Sequence, residues 1–310
     1  MTTTALLDHP AGYVTDGGLE TDLIFHHGVE LAEFAAFPLL DDPEGRRLLR
    51  QYYDGFARIA AAAGAGLLLE SPTWRANPDW GARVGYDRAG LERVNVAAMR
   101  FLGEIAESWR VQVPQIRVVG MVGPRGDGYL ASDASPEEAH AYHLPQLRAL
   151  ADGGADFVSA LTLTGVGEAL GIGMAAREVG LPAVLAFTVE TDGRLPAGTP
   201  LGDAIEAVDA VCAPAYFGVN CAHPTHIQSG LAGSTPALQR IGMLRVNASA
   251  LSHAELDEAE ELDDGDPTAL ADDVGRLRTL LPGLRVIGGC CGTDARHVAA
   301  MWSVPEPAAA

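Results

Sequence analysis

Cysteine is scarce in this chain, with four among 310 residues, yet three of them are placed where they could act together. Cys290 and Cys291 are adjacent in VIGGCCGT (286–293), and Cys221 closes AYFGVNC (215–221). Thiolates are soft donors. Three converging sulfurs suit zinc, which accepts tetrahedral sulfur ligation and in a reactive site keeps its fourth position open. The flanking glycines let the backbone bend so that both side chains of the pair can reach one metal, and they leave room for a ligand. Neighbouring strand residues point to opposite faces, so the pair must lie just past a regular strand. Two other uses of the pair stay open: a vicinal disulfide acting as a redox or strained switch, and ordinary small core residues. Cys212 precedes the Cys221 strand on a helical or loop stretch and reads as core. CAHPTH adds His223 and His226, either as further ligands or as the start of the loop or helix after that strand.

Composition removes several chemistries. All 21 basic side chains are arginine and there is no lysine, so Schiff-base chemistry and a Walker A phosphate loop are excluded. The formal net charge of −20 argues against nucleic acid and against an anionic membrane surface as partners. No apolar run is long enough to span a bilayer, and the opening MTTTALLDHPAGYV lacks the basic start and apolar stretch of a signal peptide. The expectation is a soluble cytoplasmic protein. So few cysteines do not make a disulfide scaffold.

The elements that must position these residues alternate regularly. Candidate strands are 13–18, 66–72, 116–124, 155–163, 183–190, 215–221, 241–249 and 284–291. Most are continuously apolar, as in strands buried on both faces. Helical patterns fall between them, among them one from Pro43 ending in glycines and one opening with a Ser135-Pro136 cap in which Pro145 predicts a kink. Eight strand–helix repeats predict an α/β chain folded as a (β/α)8 TIM barrel, one domain over 1–310 with short mobile ends at about 1–12 and 303–310. A doubly wound open sheet is the runner-up, weakened because only a glycine pair follows the first strand.

In such a barrel chemistry sits at the C-terminal strand ends. Asp16-Gly17-Gly18, Glu70, Asn220-Cys221, Asn247 and Cys290-Cys291 all fall there, with Glu190 ending strand five. Strand eight neighbours strand one, so Asp16 comes close to the pair. Glu20 and Asp22 read as solvated or capping residues of the helix that follows.

DGGLET near the start, GVNC in the later middle and GGCCGT near the end together resemble the homocysteine S-methyltransferases, over nearly the whole chain and in order. The resemblance implies a barrel that binds Zn2+ through Cys221, Cys290 and Cys291, with Asp16 holding the amino-acid substrate beside Gly17 and Gly18. It implies methyl transfer to a thiol acceptor, most simply homocysteine. One departure stands out. Family members carry a glutamate near the end of strand four that helps bind the substrate amine, and here Leu161 occupies that position. Glu70 or Glu190 are the expected replacements, with Asn220 nearby. No folate or cobalamin module follows GGCCGT, so the expected donor is a small methyl sulfonium or methylammonium, faced by one or more of Trp74, Trp80, Tyr86 and Tyr129. The alternatives are a zinc- or thiol-containing barrel with a non-homocysteine thiol acceptor, and a metal-binding or redox protein without methyl transfer; the oligomeric state is left open.

Overall fold

In a computed structural model of the chain, residues 6–232, 236–259 and 261–307 are described. Eight parallel strands close into a barrel in chain order. They are β1 (Tyr13–Val14), β2 (Gly66–Glu70), β3 (Ile116–Val122) and β4 (Phe157–Leu163), then β5 (Ala183–Phe187), β6 (Tyr216–Ala222), β7 (Ile241–Val246) and β8 (Val286–Gly289). Closure is made by β1 on β8, with Tyr13 opposite Val286 and Val14 opposite Ile287. The TIM-type barrel expected from the alternation is therefore the fold, and the open sheet is not.

The helices form because their ends are capped as well as their faces apolar. In α2 (Pro43–Ala63), Asp42 accepts from the Gly45 amide at 2.8 Å and Gly64 ends the helix in the left-handed region. In α5 (Pro136–Gly153), Ser135 and Glu138 make a reciprocal capping box. The helix runs through Pro145 without a break, because burial of Leu147 and Leu150 outweighs one lost backbone hydrogen bond. Between β1 and α2 lies the short α1 (Leu19–Phe25), carrying the rest of the DGGLET stretch. The remaining helices are α3 (Pro78–Arg83), α4 (Arg88–Trp109), α6 (Val166–Val179), α7 (Leu201–Asp209), α8 (Pro224–Leu231), α9 (His253–Asp257), α10 (Pro267–Leu280) and α11 (Ala295–Met301).

Two apolar clusters result. The larger lies between strands and helices, and the smaller fills the barrel with Tyr13, Leu68, Val119, Phe157, Leu161, Tyr216 and Met243. Leu6 and Leu7 belong to the inner cluster and are buried. Val304 likewise packs on the outer core. Residues 1–5 and 308–310 of the two ends lie outside the described residues.

Candidate functional site

β8 stops at Gly289, so Cys290 and Cys291 sit just past the regular strand, as alternation of side chains requires. Their sulfurs and that of Cys221 lie within 4.8 Å of one another. Cys221 Sγ is 2.9 Å from Cys290 Sγ and 3.6 Å from Cys291 Sγ, and all four cysteines are free thiols. Tetrahedral sulfur ligation separates donor sulfurs by about 3.8 Å, so the cluster needs only a small adjustment to hold one metal ion. S–H bonds from Cys221 and Cys291 push the Cys290 thiol well below the usual range, with Arg245 assisting, while Cys221 and Cys291 are held above it. Cys212 packs against the outer core, away from the cluster. His223 caps α8 and His226 bonds to the Ala250 carbonyl, so neither joins the sulfurs.

The barrel is bent to make this possible. The β6–β7 register slips between Asn220 and Ala222, and Cys221 between them has φ 55°. The β4–β5 register slips between Ala160 and Leu163, where Thr162 has φ 62°. A left-handed β-branched residue costs on the order of 1–3 kcal/mol and persists only where neighbours hold it. Asn220 does so: its Oδ1 accepts from the Thr162 amide at 2.7 Å, and its Nδ2 donates to Thr162 Oγ1 at 2.8 Å and reaches Cys290 Sγ at 3.9 Å. The Cys221 carbonyl is held by His253 Nε2 at 2.8 Å and Thr188 Oγ1 at 3.2 Å. At Gly18 a Cβ would lie 2.5 Å from the Cys290 carbonyl oxygen, so only glycine fits there. The two glycine-rich motifs lock together there, with the Gly18 amide on the Thr293 carbonyl at 2.9 Å.

Beside the sulfurs lies a buried charge cluster that the sequence reading missed. Arg245 points into the barrel from β7, 3% exposed, pairing with Asp16 Oδ1 at 2.5 Å and with Glu70 Oε2. It also donates to the carbonyls of Gly289 and Gly17, both at 2.9 Å. A lone arginine in the apolar run IGMLRV was the available signal. Burial raises the Asp16 carboxyl from its ordinary value, Arg245 opposes that and Glu70 adds to it. Asp16 Oδ2 has no hydrogen-bond partner.

A cavity of about 580 Å³ opens above these groups. Asp16, Gly17, Gly18, Asn220, Cys221, Cys290 and Cys291 all line it, as do Leu161 and Asn247. The two expected replacements for a strand-four carboxylate do not. Glu70 is turned to Arg245 and Thr15, and Glu190 accepts from His253 Nδ1 at 2.9 Å. Glu20, read from sequence as solvated or capping, instead faces the cavity, and burial pushes its carboxyl up to about 7. Of the four candidate aromatics, Trp74 and Tyr129 line the cavity. Tyr129 stacks on His253 at 4.1 Å with its hydroxyl 3.6 Å from Cys221 Sγ. Trp80 lies under Arg75 and Tyr86 bonds to Asp41, both off the cavity. A second hollow of about 550 Å³, lined by Arg46, Arg93, Arg100 and Phe101 on the outer face of α2 and α4, is remote from the strand ends.

Three free thiols form the floor of the cavity. Comparison with known proteins gives the arrangement a family. The profile described as homocysteine S-methyltransferase matches residues 13–304. The homocysteine S-methyltransferase of Escherichia coli (strain K12) is 28% identical, over 96% of each chain. The homocysteine S-methyltransferase YbgG of Bacillus subtilis (strain 168) is 27% identical, over 94% of each. Among solved structures, the metallated form of the E. coli homocysteine methyltransferase MmuM superposes with a TM-score of 0.72 at 25% identity, covering 97% of this chain and 99% of that one. The match runs through every strand that carries a sulfur or the Asp16 motif, and the chain is a thiol S-methyltransferase that belongs to the homocysteine S-methyltransferase family.

Proposed function

We propose that the protein transfers a methyl group from a small sulfonium or methylammonium donor to homocysteine, giving methionine, with zinc held by Cys221, Cys290 and Cys291. The three sulfurs at one point of the cavity floor carry this reading. A soft, all-sulfur donor set with space above it suits zinc better than magnesium or calcium, which favour oxygen. When bound there, zinc supplies a Lewis acid that lets an acceptor thiol ionise near neutral pH, below its ordinary value of about 8.5. A reducing, cytoplasmic setting keeps three such thiols free.

The chain's own residues do the rest. Asn220 and His253 hold the strained Cys221 turn, and Arg245 fixes Asp16 with one oxygen turned free. The acceptor sulfur attacks the methyl carbon, forming a carbon–sulfur bond as the donor–methyl bond breaks and the donor leaves neutral. A cationic donor fits the cavity's charge, because Asp16, Glu20, Glu33, Asp127, Glu261 and Asp263 line it against only Arg75 and Arg245. Trp74 and Tyr129 add aromatic faces, worth roughly 0.5–2 kcal/mol to a cation. The test is a donor-by-acceptor screen on reduced, zinc-loaded protein. Methionine formed from homocysteine and a free sulfonium or methylammonium is the expected result. Turnover only with a separately supplied corrinoid protein rejects the donor assignment, and none with any donor rejects the reading.

A further inference from the structure

We propose that Glu20 is a substrate-binding residue that, with the free oxygen of Asp16, receives the ammonium group of an aminothiol acceptor. The inference rests on the reading above only in placing the acceptor sulfur at the three cysteines. From that floor the acceptor body must extend into the cavity that Asp16, Glu20 and Leu161 line. Leu161 offers no polar contact. Asp16 is 2% exposed, with Oδ1 taken by Arg245 and Oδ2 unpartnered. A buried carboxylate oxygen beside a cavity, acted on by the Tyr52 hydroxyl but with no hydrogen bond made to it, is costly unless a donor arrives.

Glu20 supplies the second half of the site. It lies four residues after Asp16, at the start of α1, and its carboxylate makes no ion pair among the described residues. Neither cavity arginine makes an ion pair with it, although the charges of Arg75 and Glu20 act on each other through space. Arg245 is spent on Asp16, Glu70 and two carbonyls. Arg75 lies over the Trp80 and Trp74 rings at 3.8 and 5.1 Å and donates to the Glu33 carbonyl. Asp16 and Glu70 share the single cation Arg245 and Glu20 has no ion pair, so the excess negative charge calls for a cationic ligand group. An acceptor amine a few carbons from the thiol meets that need, so the acceptor class is an aminothiol and not a simple mercapto acid. Leu161 leaves its part of the lining apolar, suited to the methylene chain.

The experiment measures equilibrium binding of L-homocysteine and of 4-mercaptobutanoic acid, its analogue without the amine, to reduced zinc-loaded protein by calorimetry. Wild type and Glu20→Gln are compared, with zinc content and unfolding midpoint showing that the variant is folded. Wild type should prefer homocysteine at least about tenfold. Glu20→Gln should weaken homocysteine by about tenfold to a hundredfold, the loss of one charge-assisted hydrogen bond, and leave 4-mercaptobutanoic acid within about threefold. Should Glu20→Gln not fold, Glu20→Asp, which keeps the charge one methylene back, should retain part of the preference. Equal binding of both thiols by wild type overturns the proposal, as does equal weakening of both in the variant. Turnover with S-methylmethionine is measured in parallel. A KM effect of Glu20→Gln confined to that donor also overturns it. Amine discrimination that depends on Glu20 without any methyl transfer keeps this inference and rejects the function proposed above.

Discussion

At the scale of single residues, the sulfurs and the buried charges behave differently when removed. On the proposed zinc site of Cys221, Cys290 and Cys291, Cys291→Ala should abolish most zinc binding, measured as metal per chain after reduction and desalting. Cys212→Ala should leave zinc content unchanged, because that side chain packs against the outer core. Zinc retained in full by Cys291→Ala would show that the ligand set is wrong. Arg245 is a structural matter first. It holds two carboxylates inside the barrel, and Arg245→Met leaves Asp16 and Glu70 facing each other without compensation. Breaking a buried pair by removing one partner costs about 3–5 kcal/mol. Urea unfolding should show a loss of that order, and a loss under about 1 kcal/mol would mean that the carboxylates are not both ionised.

At the scale of elements, short loops after the strands carry the shell around the sulfurs. His253 opens α9 and reaches back to the Cys221 carbonyl, with Glu190 from the end of β5 behind it and Tyr129 from the β3 loop stacked on its ring. Partners one layer behind metal ligands typically set about 10–100-fold in metal affinity. His253→Ala should therefore weaken zinc by that factor in a competition titration with a chromophoric chelator, while the unfolding midpoint moves little. Unchanged affinity would reduce His253 to packing. The element after the cysteine pair, α11, is held by Asp294. Burial alone would raise this carboxyl, but bonds from His297 and Arg296 outweigh it and hold it well below the usual carboxylate range. Its stabilisation is therefore complete above the unfolded-state value of about 3.9 and is lost as pH falls below that toward the lower folded-state value. Asp294→Asn should be destabilised at pH 6 and flatter than wild type between pH 5 and 2 in thermal melts. Parallel acid limbs for the two proteins would contradict this.

At the scale of the whole molecule, the site ties together strands far apart in the chain that the closed barrel brings side by side. The sulfurs come from β6 and from just past β8, and Asp16 from just past β1. A metal held at that junction binds the folded state and not the open chain, so it stabilises by mass action, roughly 2.7 kcal/mol at a hundredfold excess over Kd. Chelation of reduced protein should lower the melting temperature, with recovery on adding zinc and no recovery in Cys290→Ala. An unchanged melting temperature would mean that the site forms without contributing to the fold. Among the described residues no helix is long and apolar enough to cross a membrane.

The sequence alone determined what depends on periodicity and chemical type. Eight apolar runs with capped helices between them specify the barrel, and barrel geometry then brings strand ends to one rim, which is why Asp16, Cys221, Cys290 and Cys291 could be placed together from spacing. Strand limits were overread, as at 13–18 against the observed Tyr13–Val14, because the DGG stretch leaves the ladder to pack on the Cys290 turn. Tertiary structure alone decided where polar side chains point. Glu70 and Glu190 lie at strand ends, yet one turns inward to Arg245 and the other sideways to His253. Glu20 has the look of a surface helix residue and faces the cavity instead. Direction at a strand end is set by bulges such as those at Thr162 and Cys221, and by charge partners distant in sequence, such as Arg245. Neither leaves a periodic trace in the chain.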